Sequence, residues 1–540
     1  MEGSSLLNYQ PLTPLSFLRR AAYVFADKTA VIYGERSYTW KDFSSRVNRL
    51  TSALKDAGIR KGDKVAFLCR NLPPLLEAHY GVPQAGAVLV ALNTRFSARE
   101  ISYIVNHSES KILFVDGALA DRIEPNDLPG VKTFINILDG ENWGEVAKQF
   151  SWVEYEDFLK QGQVGHIKYD LKDENEPIAI NYTSGTTGVP KGCVYTHRGA
   201  YLQSLAQVIE TGLNAYSVFL WTLPMFHCNG WCRTWAVACQ GSTSVCMPRP
   251  DPADIYRLVV KEGVTFMCGA PIVWARLGEY MDEKELRFPH CVKIEFGGAT
   301  PSPRVIQSME SKGAGVIHGY GLTESLDGLT ICEWQPKWDA LSIEERAKIK
   351  VRQGVATVAA SEMRVVDERM QDVPCDGTII GEIIVRGNVL LKEYFKQPEE
   401  TAEAFRGGWF HTGDGAVVHP DGYVEIKDRF KDIIISGGEN IASIEVENVL
   451  CEHPDVLEAA CFAIEDEKWG EAVKALVTPK PGTNPTAEDI IGFCRQRIAH
   501  FKCPKAVEFG EIPRSSTGKV LKDVLRKRET RQNSEEGKAK

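Results

Sequence analysis

Between Tyr182 and Gly192 the chain reads Tyr-Thr-Ser-Gly-Thr-Thr-Gly-Val-Pro-Lys-Gly. Glycines at 185, 188 and 192 let the backbone turn its amides toward one point. The hydroxyls of Thr183, Ser184, Thr186 and Thr187 add donors around that point, and Lys191 supplies a mobile cation. Such a loop suits an anion of several charges. It is not a Walker loop, which needs Gly directly before Lys and Ser or Thr after it; here Pro190 and Gly192 flank Lys191. A second chemical cluster, His227, Cys228, Cys232, Cys239 and Cys246, has spacings that match no common zinc pattern, so no metal is expected on it.

Placing these groups is the task of alternating helical periods and short β-branched runs. Asp42 to Ala57 reads as an amphipathic helix, followed by a strand at Lys64–Cys69. Further strands are expected at Lys111–Asp116, Ile178–Tyr182, Phe219–Leu223, Ser244–Pro248, Thr265–Cys268 and Val292–Phe296. The phosphate loop thus follows a strand directly. Strands separated by helical stretches argue an α/β architecture with largely parallel sheets. Near Gly354 the texture changes to shorter strands, Met363–Asp367 and Gly381–Arg386, which reads as a small β-rich subdomain of about 354–427. From Arg429 an α+β pattern begins, with strands at Asp432–Ser436, Glu458–Ile464 and Ala472–Val477 and helices at Ser443–Glu452 and Ala487–His500. The last stretch, from Arg514, holds nine Lys or Arg against four Asp or Glu and is expected to be solvated or disordered beyond Arg528.

A length of 540 residues exceeds one hydrophobic core and calls for three or four packed units. Apolar residues at 43% and charged residues at 25% exclude a mainly disordered or collagen-like chain. A net charge of -9 gives no reason to expect nucleic acid. The N-terminus lacks a secretory pattern, and the most apolar window, Val82 to Leu92, is too short to span a membrane. Fourteen scattered cysteines fit a reduced compartment. The final Gly-Lys-Ala-Lys is not a Ser-Lys-Leu address, so a cytoplasmic protein is expected, with a glyoxysomal, peroxisomal or mitochondrial site left open.

Further motifs follow the loop in order: Leu223-Pro-Met-Phe-His227, Gly297-Gly-Ala-Thr300, Gly319-Tyr-Gly-Leu-Thr-Glu324, Gly408-Trp-Phe-His-Thr-Gly-Asp414, Asp428-Arg-Phe-Lys-Asp432 with Ser436-Gly-Gly-Glu-Asn440, and Pro513-Arg-Ser-Ser-Thr-Gly-Lys519. Together they resemble the adenylate-forming acyl-CoA synthetases, over nearly the whole chain. The resemblance implies a large N-terminal domain (1–427) with two α/β sheets and the β-rich subdomain, and a small mobile α+β lid (428–540) hinged near Lys431. It implies ATP, Mg²⁺ and coenzyme A: an acid attacks the α-phosphate to give acyl-AMP, and a thiol then displaces AMP. Thr183, Ser184, Gly185, Thr186, Thr187, Gly188 and Lys191 would hold the β- and γ-phosphates. Gly298, Ala299 and Thr300 would line the adenine edge, with Tyr320 on its face and Gly321 beside it. Thr323 would meet the α-phosphate and Glu324 the magnesium, a hard ion suited to a carboxylate. Asp414 and Arg429 would bind ribose, and Lys519 would bridge the substrate carboxylate and α-phosphate as the adenylation catalyst.

For the second step, Gly437 and Gly438 would line a pantetheine tunnel, and Trp469, Phe501 and Lys505 would meet the CoA nucleotide. Cys503 stands where relatives carry a basic residue. His227 resembles the gate of an acyl pocket that also includes Trp231, Gly298 and Gly319. Phe226-His227 lacks the aspartate that pairs with an amino-acid ammonium, which argues against amino acids. Cys228-Asn-Gly-Trp resembles a plant and fungal subgroup acting on short- or medium-chain, branched or aromatic acids. Arg233 is either an ion pair outside the pocket or a partner for a second substrate carboxylate. The expected activity is an acid–CoA ligase, monomeric or homodimeric. The alternatives are a standalone adenylation enzyme loading a carrier-protein phosphopantetheine and a non-catalytic nucleotide-binding scaffold.

Overall fold

The computed structural model describes residues 8–139, 152–165, 167, 169, 171–183, 190–360, 362–436, 439–466, 468–515 and 518–539. Its helices begin where the sequence satisfies their free amides. Thr39 and Asp42 form a reciprocal cap for the helix Trp40–Asp56, and Ser97 with Glu100 does the same for Ala98–His107. In the first of these, Phe43, Val47, Leu50 and Leu54 recur at helical spacing and are buried.

Among the described residues the strands form four sheets. A nine-stranded sheet has a parallel centre of Ala314–Leu322, Val292–Phe296, Phe266–Gly269, Val218–Leu220, Thr243–Val245 and Thr29–Tyr33. An eight-stranded sheet carries Pro177–Thr183 beside Val88–Ala91, with Lys191–Thr196 returning antiparallel to it. One apolar cluster joins these two sheets through the helices Leu15–Val24, Trp40–Asp56, Pro73–Gln84 and Arg233–Gln240, with Trp221, Trp235 and Tyr80 fully buried. Central strands covered on both faces must be almost wholly apolar, and Lys64–Leu68 and Val88–Ala91 are. A four-stranded antiparallel sheet runs from Glu362–Val366 to Val424–Arg429.

After a single 3₁₀ turn at Phe430–Asp432, a five-stranded sheet begins at Ile434. It has its own core of Ile434, Val446, Leu450, Val473, Val477 and Ile490. The chain is therefore α/β, with a large N-terminal part of several sheets and a smaller C-terminal part.

The basic C-terminal stretch, expected to be solvated or disordered beyond Arg528, is the helix Lys522–Ala539, with Arg528, Thr530 and Arg531 exposed on it. Leu525 buries against Phe462 and Leu476, Arg526 pairs with Asp432, and Lys474 reaches Glu529 at 2.5 Å, so contacts with the five-stranded sheet order its first turns. The helix expected to reach His500 stops at Arg495. There Arg497 and Ile498 both donate to the carbonyl of Cys494, turning the chain toward the strand Ala506–Phe509. All fourteen cysteines are free thiols, and no described helix is long and apolar enough to cross a membrane.

Candidate active site

A cavity of about 720 Å³ opens where the central strands of the nine-stranded sheet end, and it is closed from the other side by the C-terminal part. Ligands of open α/β sheets lie at the carboxyl ends of strands. Val292–Phe296 ends there in Gly297-Gly298, and Ala314–Leu322 runs into Thr323 and Glu324. The absence of a side chain at 297 is required: a Cβ would stand 2.6 Å from Cη2 of Trp231. Trp231 is held there by an uncommon backbone. Cys228, Asn229, Gly230, Trp231 and Cys232 all have positive φ, between 42° and 62°. Left-handed turns of this kind are costly for residues with a Cβ, and the strain sits at the cavity wall.

Beside the strand Phe410–Val418, Tyr320 donates its hydroxyl to Asp414 Oδ2 at 2.6 Å, and Arg429 Nε reaches Asp414 Oδ1 at 3.2 Å. The last two face each other across neighbouring antiparallel strands. Burial and the Asp414 charge hold the Tyr320 phenol well above its ordinary range, so it stays a donor. Glu324 Oε1 accepts from Tyr394 at 2.9 Å, and the Thr323 carbonyl accepts from Tyr195 at 2.6 Å. Lys191 pairs with Glu400. Among the described residues no three His, Cys, Asp or Glu form a metal cage. The Glu324 carboxylate, which lines the cavity, suits Mg²⁺, an ion that keeps most of its water.

The C-terminal part contributes one loop. Arg514 and Val520 bridge, Lys519 N donates to Ser515 Oγ at 3.1 Å, and Arg95 donates to the Ser515 carbonyl at 3.0 Å. Gly518, at φ +82°, lies so close to the large part that a Cβ would meet that of Ala270 at 2.7 Å. Lys519 thereby enters the cavity. Removal from water and the neighbouring Arg429 lower its ammonium to about 8, against the pull of Asp414 and Asp432. His227 faces the same space, and loss of water together with Lys519 lowers it to about 4, so it is neutral at pH 7. Lys431 lines the cavity mouth and pairs with Asp523 at 3.2 Å.

Of the residues singled out by sequence, Thr183, Lys191, His227, Trp231, Gly298, Gly319, Tyr320, Gly321, Thr323, Glu324, Arg429, Lys431 and Lys519 line this cavity, with Asp414 behind Tyr320. Ala299 and Thr300 stand off it, and Thr300 Oγ1 accepts from Gln353. Trp469, Phe501 and Lys505 are not brought to it: Trp469 and Phe501 are about half exposed, and Lys505 pairs with Asp466. Ser184, Gly185, Thr186, Thr187 and Gly188, and Gly437 and Gly438, lie outside the described residues. Arg233 is fully buried and donates to Glu295, so it is not open to a substrate carboxylate. Sequence reasoning missed Gln207, Glu210, Glu295, Asp327 and Thr330, which also line the cavity. Only Glu295 carried a signal: on a strand it shares a face with Gly297, two residues on.

The AMP-binding enzyme model matches residues 18–395, and the AMP-binding enzyme C-terminal domain matches 445–519. The chain belongs to the AMP-binding enzymes, among the acid–thiol ligases. It is 46% identical to a 4-hydroxybutyrate–CoA ligase of Metallosphaera sedula, covering 96% of this chain and 94% of that protein. It is 43% identical to a peroxisomal acetate/butyrate–CoA ligase of Arabidopsis thaliana, covering 96% and 95%. The crystal structure of ATP-bound MatB from Rhodopseudomonas palustris superposes with a TM-score of 0.82 at 26% identity, covering 95% of this chain and 98% of that one.

Proposed function

We propose that this ligase activates a short- or medium-chain, branched or aromatic carboxylic acid as its acyl-adenylate and passes the acyl group to coenzyme A. The observation that carries the reading is Lys519, delivered by the C-terminal loop into a cavity lined by Tyr320, Arg429 and Glu324, with Asp414 behind Tyr320. In the first step a carboxylate oxygen bonds to the α-phosphorus and the bond to the β-phosphate breaks, releasing pyrophosphate. Two anions must meet, so fixed cations and dipoles supply the catalysis. The Lys519 ammonium neutralises charge where the new bond forms. Lys191 and the loop from Thr183 hold the leaving phosphates, which displace Glu400 from Lys191. Asp414 accepts from the ribose hydroxyls, with Arg429 fixing its position, and Tyr320 supports adenine. Magnesium held at Glu324 would neutralise phosphate charge.

In the second step the thiol sulfur attacks the acyl carbon, the bond to AMP breaks and the thiol proton is lost. Lys519 has no role in it. Trp469, Phe501 and Lys505, exposed and remote while Lys519 is inside, would reach the site with Gly437 and Gly438 when the lid turns about Lys431. The two relatives, named for 4-hydroxybutyrate and for acetate or butyrate, support a small acid.

Acid-dependent exchange of pyrophosphate into ATP over an acid panel, followed by assay of the CoA ester, tests the reading. Exchange with transfer to carrier pantetheine and none to CoA would replace the acceptor. No exchange with any acid would overturn the reading.

A further inference from the structure

The strands Gly381–Arg386 and Phe410–Val418 do not form an unbroken ladder. Val385 faces Phe410 and Ile384 faces His411, a register that would carry on to set Glu382 opposite Gly413. Glu382 instead faces Gly415: the chain takes four steps from His411 to Gly415 while its partner takes two from Ile384 to Glu382. The excess bulges out of the sheet as Thr412-Gly413-Asp414. Gly413 makes the turn at a φ of +71°, which glycine adopts without cost. A bulge re-aims the side chain it carries, and here that side chain is Asp414.

Amides thrown out of a ladder must find acceptors elsewhere. Two side chains supply them. Glu382 Oε1 accepts from the Gly413 amide at 3.0 Å, and Thr412 Oγ1 accepts from the Asp414 amide at 3.1 Å while donating to the Ile383 carbonyl at 2.7 Å. Glu382 Oε2 lies 2.7 Å from His411 Nδ1, so one carboxylate grips the chain on both sides of Thr412. The His411 side chain is 5% exposed, which anchors that carboxylate on a packed group. Arg406, partly in water, reaches the same oxygen at 3.4 Å. Tyr320 and Arg429 orient the Asp414 carboxylate; Glu382 and Thr412 fix the backbone that carries it.

We propose that Glu382 is a positioning residue for Asp414: by holding the Gly413 amide it sets where the Asp414 carboxylate stands, and so how strictly the enzyme demands the ribose hydroxyls of ATP. The proposal rests on the ligase reading, with Asp414 as the ribose acceptor. Glu382 does not itself line the cavity, so its effect on a nucleotide passes through the bulge. A shift of about 0.7 Å takes an ordinary hydrogen bond out of range. A site built on hydroxyls rejects the analogue that lacks them, because its own polar groups are left unpaired. That rejection fails once the acceptor is misplaced. Substitutions at 382 grade the effect. Gln keeps an acceptor for Gly413, and His411, whose Nε2 has no partner among the described residues, can carry its proton there and accept the Gln amide at Nδ1. Asp is one methylene shorter and cannot span both partners; Ala meets neither.

The test is pyrophosphate-exchange kcat/KM for ATP and for 2′,3′-dideoxy-ATP, with the acid of the panel that supports the fastest exchange. The wild-type enzyme should prefer ATP by about a hundredfold, the scale of two hydrogen bonds to a charged acceptor. In Glu382→Ala the value for ATP should fall at least tenfold and that for the dideoxynucleotide less than threefold, so that the preference collapses. Glu382→Gln should keep the preference within about threefold of wild type, with Glu382→Asp between the two. If the Ala variant does not fold, Asp against Gln decides, and a preference in Asp no lower than in Gln overturns the proposal. Equal losses on both nucleotides would make Glu382 a support of the sheet alone and overturn it, as would an Ala variant with its preference intact. A wild-type enzyme that exchanges without distinguishing the nucleotides also overturns it, and takes the ribose from Asp414 while leaving the ligase reading intact. No exchange by the wild-type enzyme with any acid would overturn the ligase reading and the proposal with it.

Discussion

In the proposed reaction, Lys519 is the residue on which the chemistry of the first step turns. An ammonium lowered to about 8 by burial and by Arg429 is still charged at pH 7, and it loses that charge as pH rises. Adenylation kcat/KM should therefore fall above about pH 8, since that parameter reports the free enzyme. Lys519→Arg should move the falling limb to higher pH, because guanidinium stays protonated. A limb that does not move would assign it to another group. Lys519→Ala should lower adenylate formation by roughly 10³-fold, the scale of losing one aimed charge in a dry site. Thioester formation from preformed acyl-AMP should change little. Equal loss of both half-reactions would remove Lys519 from its assigned step. His227, neutral at pH 7, adds no competing charge beside it.

At the scale of elements, what matters is how the loop Arg514–Val520 is seated. Gly518 has a φ of +82° and touches Ala270, so Gly518→Ala adds both backbone strain and a clash. Adenylation should drop at least tenfold while thioester formation from acyl-AMP is retained; matched losses would mean that the seat serves both steps. The C-terminal helix is fastened by a buried pair, Lys522 with Glu447 at 2.8 Å, and Lys522 also reaches Ser443 beside Asp428. Lys522→Met leaves Glu447 buried without its cation, a change that costs about 3 kcal/mol or more. Calorimetry should show the C-terminal part melting earlier while the large part is unaffected. An unchanged melt would mean that water reaches Glu447.

At the scale of the whole molecule, the turn Phe430–Asp432 joins the large N-terminal part to the smaller C-terminal part, and both line the cavity. The closed arrangement places Lys519 inside and leaves Trp469, Phe501 and Lys505 outside. A second arrangement is needed to use those residues, and a 3₁₀ turn is where the backbone can change. Lys431→Pro fits the present turn, since proline suits an early turn position and the described Ile433 amide bond to Arg429 is kept. It should leave adenylation within about twofold and slow thioester formation by tenfold or more, the loss expected when a hinge is fixed. If both half-reactions persist, turning about Lys431 is not required.

The sequence alone carried the alternation of strands and helices, the glycine-rich motif that follows the strand Pro177–Thr183, and the order of motifs that ends in Lys519. These were legible because caps, β-branched runs and glycine-rich turns act over a few residues. The part of the cavity lined by Gln207, Glu295, Asp327 and Thr330 was not. Gln207 sits on a helix, Glu295 on the strand Val292–Phe296, and Asp327 and Thr330 on the strand Asp327–Ile331, and no local rule links the three elements. The register between Val292–Phe296 and Ala314–Leu322, and the left-handed turn at Cys228–Cys232, bring them together. In the same way the sequence offered Arg233 as a possible partner for substrate, and only packing decided that Glu295 takes its charge. Short-range chemistry names the reacting groups; which of them remain free depends on contacts between distant strands, and those exist only once the sheets have closed on one another.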